Sequence, residues 1–307
     1  MDTVDLRILN QLGINSRLSY RSIARSINYT TKSAKERVDN MISSGIINRF
    51  IVLIDPSILG YDRIVSFALR KDLVNNKTIT KINQTGDIQF QFTVLGGAIG
   101  FSLLVNDDRT SNDKVEDLVQ FLKPALLGVI VQDQLSERKR KAKSNLNILD
   151  YQIIKQLILN PRIEISDIAK NLFVSSKTIH RRFDKIRAKQ LLEFTLLPNP
   201  QEVKGHVVFF IDIKIAAQNK FNNIAERIYL ELRDYLILSH IFNSKGTIGL
   251  ILACEAISDV ENIRSLIESI DGVIQSRVFL PTSIEYNQDL VVTAIDRIIL
   301  NLSNLPN

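Results

Sequence analysis

Residues 163–192, IEISDIAKNLFVSSKTIHRRFDKIRAKQLL, predict two short helices joined by a tight turn. Apolar residues recur at helical spacing up to Leu172 and the pattern then stops. Ser175 or Ser176 can begin the next helix, because a serine side chain accepts a backbone N–H bond at that position. The stretch therefore predicts a helix-turn-helix unit, a motif whose second helix enters the major groove of DNA.

The helix that begins at Ser175 or Ser176 separates into two faces. The face predicted to be buried carries Ile179, Phe183 and Ile186. The opposite face, which includes Lys185, is cationic and suits phosphates and guanine edges. A polar helix face is more often simply solvated, so this pattern favours DNA binding only with further support. We predict that the DNA contacts of this helix are Ser176, Lys177, Thr178, His180, Arg181 and Arg182.

A similar stretch lies 145 positions earlier, in residues 18–47, LSYRSIARSINYTTKSAKERVDNMISSGII. Ser19 can cap its first helix, and Asn28 tolerates left-handed backbone angles at the turn. Thr30 or Thr31 can cap the following helix. The buried face of that helix is predicted to be Ala34, Val38 and Ile42. Its predicted DNA contacts are Thr31, Lys32, Ser33, Lys35 and Arg37.

Between and after these units the sequence twice predicts the order β-α-β-β-α-β, the ferredoxin-like split arrangement. Helices cover one face of such a sheet, and the other apolar face must be buried against something. Pairing of the two sheets within the chain is therefore implied. The first series occupies 63–71, 75–85, 89–95, 99–105, 112–122 and 126–134. The second occupies 206–216, 219–233, 236–243, 247–255, 258–269 and 273–281.

Self-similarity over such a length predicts an α+β fold built by tandem duplication of a winged helix-turn-helix and a ferredoxin-like domain. Residues 47–54 are expected to form a short strand pair or wing. An amphipathic helix at 286–302 has no counterpart in the first half, and it either caps its own domain or mediates oligomerisation. The predicted division is 1–60, 61–135, a basic linker at 136–145, 146–203, 204–285 and 286–307.

Composition and charge narrow the class of protein. The chain has 307 residues, a net charge of +6 and one cysteine, Cys254, which excludes an internal disulfide. No apolar run approaches the roughly 20 residues that span a bilayer. These features predict a cytoplasmic protein without a membrane partner. Residues 1–60 and 146–205 carry net charges of +3 and +4 (eight basic against five acidic groups, and ten against six), so basic charge concentrates on the helix-turn-helix units.

Short motifs resemble those of the leucine-responsive/asparagine regulator (Lrp/AsnC) family of bacteria and archaea. The chain as a whole resembles a tandem-duplicated, archaeal-type member of that family. Residues 5–12 resemble the family's opening "D..IL..L", and residues 17–19 resemble its "R.S" cap. Residues 36–38 with 45–47 resemble "ERV" followed by "G.I". The resemblance covers nearly the whole chain, twice over. It implies a transcriptional regulator whose sensor domains pair through their sheets and bind small effectors, often amino acids.

The sequence departs from the family pattern at two places. The central hairpins, 96–100 and 245–249, lack the acid of the family's glycine–x–x–aspartate step, so an amino-acid effector is not predicted. Phe173 occupies a turn position where family members often have glycine, which predicts a distorted turn. A small-molecule effector of unknown identity remains an expectation.

Other chemistry finds little support in the sequence. His180, His206 and His240 lie far apart and in different types of element, so no metal site, cofactor or catalytic site is predicted. Cys254 lies in an apolar run and is expected to be buried. Residues 96–100 favour a hairpin turn over a phosphate loop. Two alternatives stay open: an enzyme like the paired sirohaem decarboxylases, with His240 near a porphyrin, and an architectural chromatin protein.

The helix predicted to enter the major groove is the third helix of each winged helix-turn-helix unit, and the two third helices differ in sequence. Their sequences, TKSAKERVDN at 31–40 and SKTIHRRFDK at 176–185, differ at most positions. We call each helix-turn-helix unit, 1–60 or 146–203, a head. Two identical heads read a palindromic site, with half-sites about one helical turn apart. Two different heads in one pseudo-dimeric chain therefore predict an asymmetric site in double-stranded DNA.

Overall fold

The computed structural model describes residues 1–106, 111–132, 146–216, 221–244 and 246–304. The predicted basic linker, 136–145, lies outside these residues. The chain begins with three helices and a strand: α1 Thr3–Ile14, α2 Tyr20–Ile27, α3 Thr31–Ser43 and β1 Ile47–Ile54. Asp2 and Asp5 begin α1 with a reciprocal capping box, each side chain accepting the other's backbone N–H.

The first ferredoxin-like series follows a single turn of 3-10 helix. Its elements are β2 Tyr61–Arg70, α4 Asn76–Thr85, β3 Asp87–Val94, β4 Ala98–Asn106, α5 Ser111–Leu122 and β5 Leu126–Gln132. Ile82 of α4 and Leu118 of α5 pack on Phe101 and Leu103 of β4, which buries one face of the sheet. The predicted order of strands and helices is therefore confirmed.

The second half repeats these elements. They are α6 Ile148–Leu159, α7 Ile165–Asn171, α8 Ser176–Ala188, β6 Leu192–Pro198, β7 Val207–Ile215, α9 Phe221–Leu232, β8 Leu236–Ser244, β9 Thr247–Cys254, α10 Ile257–Glu268 and β10 Val273–Phe279. Ile228 and Ile263, on the two helices of this sheet, pack with Phe209 and Leu250. The tandem α+β fold predicted from the sequence is present.

The strand after each third helix pairs with its counterpart in the other half of the chain. β1 and β6 form an antiparallel two-stranded ribbon in which Phe50 lies opposite Leu196 and Ile51 opposite Thr195. These two pairs exchange when 145 is added or subtracted, so an approximate two-fold axis passes between them. The prediction of a strand pair within residues 47–54 was wrong, because this stretch is one strand whose partner comes from the second half.

The two larger sheets meet through the faces that their helices leave uncovered. The ring centroids of Phe92, from the first sheet, and Phe210, from the second, are 6.3 Å apart. Phe279 stacks on Phe210 at 5.9 Å, and a methyl group on Gly128 would approach the guanidinium of Arg277 to 2.8 Å. The predicted internal pairing of the sheets is confirmed by these contacts.

The C-terminal segment departs from the prediction. The strand predicted at 273–281 ends at Phe279, and a further strand, β11 Pro281–Tyr286, crosses to the first sheet and pairs with β3. The last helix, α11 Gln288–Ser303, packs against α6 and buries Val291, Ala294 and Ile295 in the core that it shares with the second helix-turn-helix. The amphipathic helix therefore caps a neighbouring domain rather than its own.

Each helix-turn-helix packs on the ferredoxin-like sheet of the other half. In the first, Asn10 donates a hydrogen bond to the carbonyl of Arg233, and α1 crosses β8 so closely that Gly13 has no room for a side chain against Ile237. In the second, Tyr151 shares a core with Phe90 and Leu104 of the first sheet, and its hydroxyl donates to the carbonyl of Ile58, in the 3-10 helix before β2, at 3.1 Å. The two halves are thus interlocked. The division into six domains remains a prediction.

Candidate nucleic-acid interface

The third helix of the second unit, α8, has the capping and the buried face that its sequence predicts. Of the two candidate serines, Ser175 is the cap: its hydroxyl accepts the backbone N–H of Thr178 at 3.2 Å. Ile179 and Ile186 are fully buried and Phe183 is 8% exposed, which holds the helix on its own domain. Most of the polar side chains of α8 are consequently turned towards solvent.

The solvent-facing side of α8 carries unneutralised positive charge. Lys177, Arg181 and Lys185 follow one another at four-residue intervals and therefore share one face of the helix. All three are exposed, as are His180 and Arg187. Among the residues that the structure describes, no carboxylate forms an ion pair with these side chains. This face can therefore meet an anionic surface without first breaking an internal salt bridge.

Arg182 has a different environment from its neighbours. Its Nη1 lies 3.3 Å from both carboxylate oxygens of Asp150, a residue of α6 that is fully buried. The same carboxylate accepts the backbone N–H of Asn147 at 3.0 Å in a capping box. Arg182 thus joins the third helix to the first, and its predicted contact with DNA stays a prediction.

The cationic side chains of α3 are all paired with acids. Lys32 lies 3.9 Å from Glu36, and Lys35 lies 2.7 Å from Asp39. Arg37 bonds to Asp5 at 2.7 Å and to a second acid near the N-terminus of α1. The bonds to these carboxylates raise the pKa of Arg37, and the Asp39 carboxylate raises the pKa of Lys35. The exposed face of α3 is therefore less electropositive than that of α8.

One predicted buried position of α3 is wrong. Ile42 is 43% exposed, and Met41 is buried in its place beside Ala34 and Val38. The buried positions lie four and seven residues after Ala34, which is the spacing of a 3.6-residue helix. Ile186, the equivalent of Met41 in α8, is buried in the same way. The two third helices therefore pack alike and present equivalent faces.

The residues predicted to contact DNA fall into two groups by exposure. Those that are exposed are Thr31, Lys32, Lys35, Ser176, Lys177, His180 and Arg181. Those that are partly buried are Ser33, Arg37, Thr178 and Arg182. The sequence prediction omitted Lys185 and Arg187 as contacts, although the four-residue spacing from Lys177 through Arg181 identifies Lys185 as part of the same face. The contacts with DNA themselves remain predictions.

The turns before the two third helices have the same backbone conformation. Asn28 and Phe173 occupy equivalent positions with φ angles of 60° and 55°. The residue after each donates its N–H to the alanine carbonyl five residues earlier, at 2.9 Å from Tyr29 and 3.0 Å from Val174. The expected distortion of the second turn is therefore absent. Phe173 adopts a left-handed conformation that is unfavourable for a bulky residue, and its side chain is 96% exposed.

The ribbon formed by β1 and β6 sets the distance between the two heads. Ile47 lies opposite Pro198, and Pro198 is six residues along the strand from Leu192. The first residues of the two strands are therefore roughly 20 Å apart, at about 3.3 Å per residue. α3 and α8 therefore lead into opposite ends of the ribbon, through strand starts that lie about this far apart.

A small cavity lies between the paired sheets. The cavity between them, lined by Phe67, Phe92, Phe210 and Phe279, has a volume of about 40 Å³. Pockets for drug-sized ligands have volumes of roughly 300–1,000 Å³, so this cavity has no room for a tetrapyrrole. His240 lies in β8, as the sequence predicts. Cys254 is buried, as expected, and burial raises the pKa of its thiol to about 11.

Membrane spans and metal clusters are both absent from the part of the chain that the structure describes. No helix in it combines the length and the hydrophobicity needed to cross a membrane. Within the same ranges, histidine, cysteine, aspartate and glutamate side chains form no cluster of three suited to a metal ion.

Comparison with known proteins identifies a helix-turn-helix domain in each half of the chain. The family profile "Winged helix-turn-helix DNA-binding" matches residues 1–48, and "AsnC-type helix-turn-helix domain" matches residues 146–187. An uncharacterized HTH-type transcriptional regulator of Pyrococcus horikoshii is 28% identical over 130 residues, which are 41% of this chain and 86% of the relative. The crystal structure of the siroheme decarboxylase NirDL is 11% identical, covers 99% of this chain and 100% of its own, and has a TM-score of 0.47.

The relatives in sequence are regulators, about half as long as this chain. The HTH-type transcriptional regulator LrpC of Bacillus subtilis is 30% identical over 125 residues, which are 40% of this chain and 85% of LrpC. Two helix-turn-helix matches in one chain agree with the internal repeat. This sequence is therefore that of a DNA-binding regulator, and the enzyme reading is the weaker one. The chain belongs to the Lrp/AsnC family of helix-turn-helix transcriptional regulators.

Proposed function

We propose that this DNA-binding regulator places both third helices on one duplex and reads a site whose two halves differ. The observation that carries the proposal is the presence of two equivalent but non-identical exposed helices in a single interlocked chain. In a symmetric dimer the same helix would meet both half-sites. Here Glu36 of α3 stands where α8 has Arg181, so the two faces differ in the sign of a charge.

The ribbon supports simultaneous docking. It separates the strand starts by roughly 20 Å, and one third helix leads into each of its two ends. Half-sites on one face of B-DNA are separated by about 34–36 Å, one helical turn. Heads held at the ends of a strand ribbon are suited to successive turns of the major groove rather than to adjacent base pairs.

The difference in charge gives the heads different parts in binding. Each phosphate that a lysine or arginine neutralises releases counterions, which is the main source of affinity that does not depend on sequence. The cations of α3 have acidic partners, whereas Lys177, Arg181 and Lys185 of α8 have none among the described residues. We propose that α8 supplies most of the phosphate-dependent affinity and that α3 adds base readout in the second half-site.

The paired ferredoxin-like sheets complete the proposal. We assign them the part of a sensor that couples a small molecule to DNA binding, with the chemistry of that molecule left open by the departures at 96–100 and 245–249. A regulator of bacterial or archaeal type works where its DNA is, so its proposed location is the cytoplasm. We also propose that several copies of this chain assemble into a homo-oligomer.

Selection of bound sequences from random DNA at fixed salt tests the asymmetric site. We expect the wild-type chain to select two different half-sites, about one helical turn apart. A matched variant carries Thr31→Ser, Ser33→Thr, Lys35→His, Glu36→Arg, Asn40→Lys and Ile42→Arg, which give α3 the solvent-facing side chains that α8 has at the equivalent positions of 176–187. We expect this variant to select a more nearly palindromic site, because both heads then present the same groups.

Two outcomes would contradict the proposal. A palindrome selected by the wild-type chain would mean that the differences between α3 and α8 are not read. Broad binding with no selected sequence would instead favour an architectural protein that coats DNA. Footprinting of the selected site at the same salt concentration identifies which half each head covers.

A further inference from the structure

Two arginines connect the heads to each other away from the ribbon. Arg17 donates from Nη1 to the carbonyl of Pro161 at 2.6 Å and from Nη2 to the carbonyl of Ile163 at 2.9 Å. Arg162, which lies 145 residues later, donates to the carbonyls of Ser16 at 2.8 Å and Leu18 at 3.3 Å. Each arginine therefore bridges the two carbonyls that flank the other.

Aromatic rings from both halves enclose the two guanidinium groups. The Cζ atom of Arg17 lies 5.5 Å from the ring centroid of Phe183, in α8, and 5.4 Å from that of Phe194, in β6. The Cζ atom of Arg162 lies 5.1 Å from both Tyr20 and Phe50. These are cation–π distances, and the contact with Phe183 links the first head directly to the third helix of the second.

This arrangement holds two like charges in a partly buried place. Burial lowers the pKa of Arg17, the nearby Glu164 raises it, and the charge of Arg162 lowers it. Neither guanidinium has a carboxylate bonded to it among the residues described. Their donors instead bond to main-chain carbonyls of the opposite turn, in bonds roughly twice as strong as those between neutral groups.

A second attachment changes what the ribbon can do mechanically. A two-stranded ribbon on its own is marginally stable and can twist, so β1 and β6 alone would let the heads rotate relative to each other. The sheet on which each head packs restricts that rotation, and the arginines add a direct link from one head to the other. The arginines bind the turns that follow α1 and α6 and thereby oppose this rotation. The position of α3 relative to α8 then becomes a fixed property of the chain.

We propose that Arg17 and Arg162 are positioning residues that set the spacing and rotational phase of the two half-sites that this chain accepts. They act through the heads and do not themselves contact bases. The inference rests on the proposed function, because it needs both heads on one duplex. Inserting two base pairs between half-sites moves one of them by about 7 Å and turns it by about 70°, which a rigid pair of heads cannot follow.

Binding to sites of altered spacing tests the proposal. The probes are the selected site, the same site with two inserted base pairs, and each half-site alone. We expect the insertion to weaken wild-type binding strongly, and expect that penalty to shrink by about tenfold in Arg17→Ala/Arg162→Ala. Binding to a half-site alone should be unchanged. Arg181→Ala, the control, should weaken binding to both full-length sites and to the half-site that α8 reads, while keeping the penalty of the insertion.

A measurement without DNA separates this proposal from the proposed function. Asn40→Cys and Lys185→Cys place spin labels at equivalent exposed positions of α3 and α8, and the native Cys254 is buried. We expect a narrow distribution of label distances in the wild-type background and a broad one in the double arginine variant. Arg17→Lys, which keeps the charge but not the two-point bridge, should broaden it partly and serves if the double variant does not fold.

The proposal is overturned if the distance distribution keeps its width when the arginines are replaced. It is equally overturned if the double variant binds DNA with the wild-type spacing penalty. Failure of the wild-type chain to bind any selected site would instead refute the proposed function, and the width of the label distances would still report on the arginines.

Discussion

Arg181 and Arg182 are adjacent in α8, yet their side chains meet different surroundings. Arg181 is exposed, whereas Arg182 is bonded to the buried carboxylate of Asp150. Arg182→Ala leaves that carboxylate buried without its cation, which we expect to lower the free energy of unfolding by about 3 kcal/mol. Chemical denaturation followed by circular dichroism measures this change.

Arg181→Ala is the matched control for this substitution. We expect its free energy of unfolding to stay within about 0.5 kcal/mol of the wild-type value, because no described side chain depends on it. Its DNA affinity should fall, and the slope of log K against log salt should flatten by about 0.9 for each phosphate that is no longer neutralised. A stable Arg182→Ala protein with the same flattening of the slope would make Arg182 a DNA contact instead.

The sequence predicts residue-scale features well when they depend on near neighbours. The caps Ser19 and Ser175 and the left-handed Asn28 follow from the chemistry of one residue and its local backbone, and the structure has all three. The partners of Arg37 and Arg182 are acids 32 positions away in the chain. No local pattern identifies such pairs, although the repeat could have shown that both arginines have an acid at the same separation.

At the scale of elements, β11 and α11 show where sequence patterns stop being informative. Alternation of apolar and polar residues can predict a strand, but it does not say which sheet edge the strand will join. β11 joins β3, whose residues lie about 190 positions earlier, and Thr93 bonds to both Thr282 and Ser283 at 2.7 Å. The prediction ran the last strand of the second series to 281 and missed β11, because the partner of that strand is in the first sheet.

The helix α11 holds the second helix-turn-helix against the first sheet, and Ile295 is the fully buried centre of that contact. We expect Ile295→Ala to lower the free energy of unfolding by about 2–5 kcal/mol, because the change removes buried apolar volume and leaves a cavity. Lys155 of α6 also bonds to Asp296 of α11, at 2.6 Å. Thermal or denaturant unfolding of the full-length chain measures the effect.

Leu300→Ala, on the same helix, is the control for the packing of α11. Leu300 is 60% exposed, so its truncation should change stability by about 0.5 kcal/mol or less. Equal losses of stability from Ile295→Ala and Leu300→Ala would indicate that α11 is covered on both sides, as in an assembly of several chains. Sedimentation of the two variants would then show whether Leu300 lies in an interface.

The duplication was visible in the sequence, but the interlocking of the two halves was not. A repeat of 145 positions predicts two similar units, and it does not say whether each helix-turn-helix packs on its own sheet or on the other. The choice depends on contacts such as Gly13 against Ile237 and Tyr151 to Ile58, whose partners have no signature in the sequence. The two halves are thus arranged like the subunits of a domain-swapped dimer and not like two independent domains joined by a linker.

Interlocking makes a prediction about the divided chain. Fragments 1–140 and 141–307, co-expressed, should associate one to one and elute at the volume of the intact protein, because β1 and β6 pair only across the halves and each head is buried on the other's sheet. Either fragment alone should expose the apolar surface of that contact and should lose stability or self-associate. Co-elution and mass spectrometry of the complex measure this, and two fragments that fold and elute independently as monomers would show that the halves behave as separate domains.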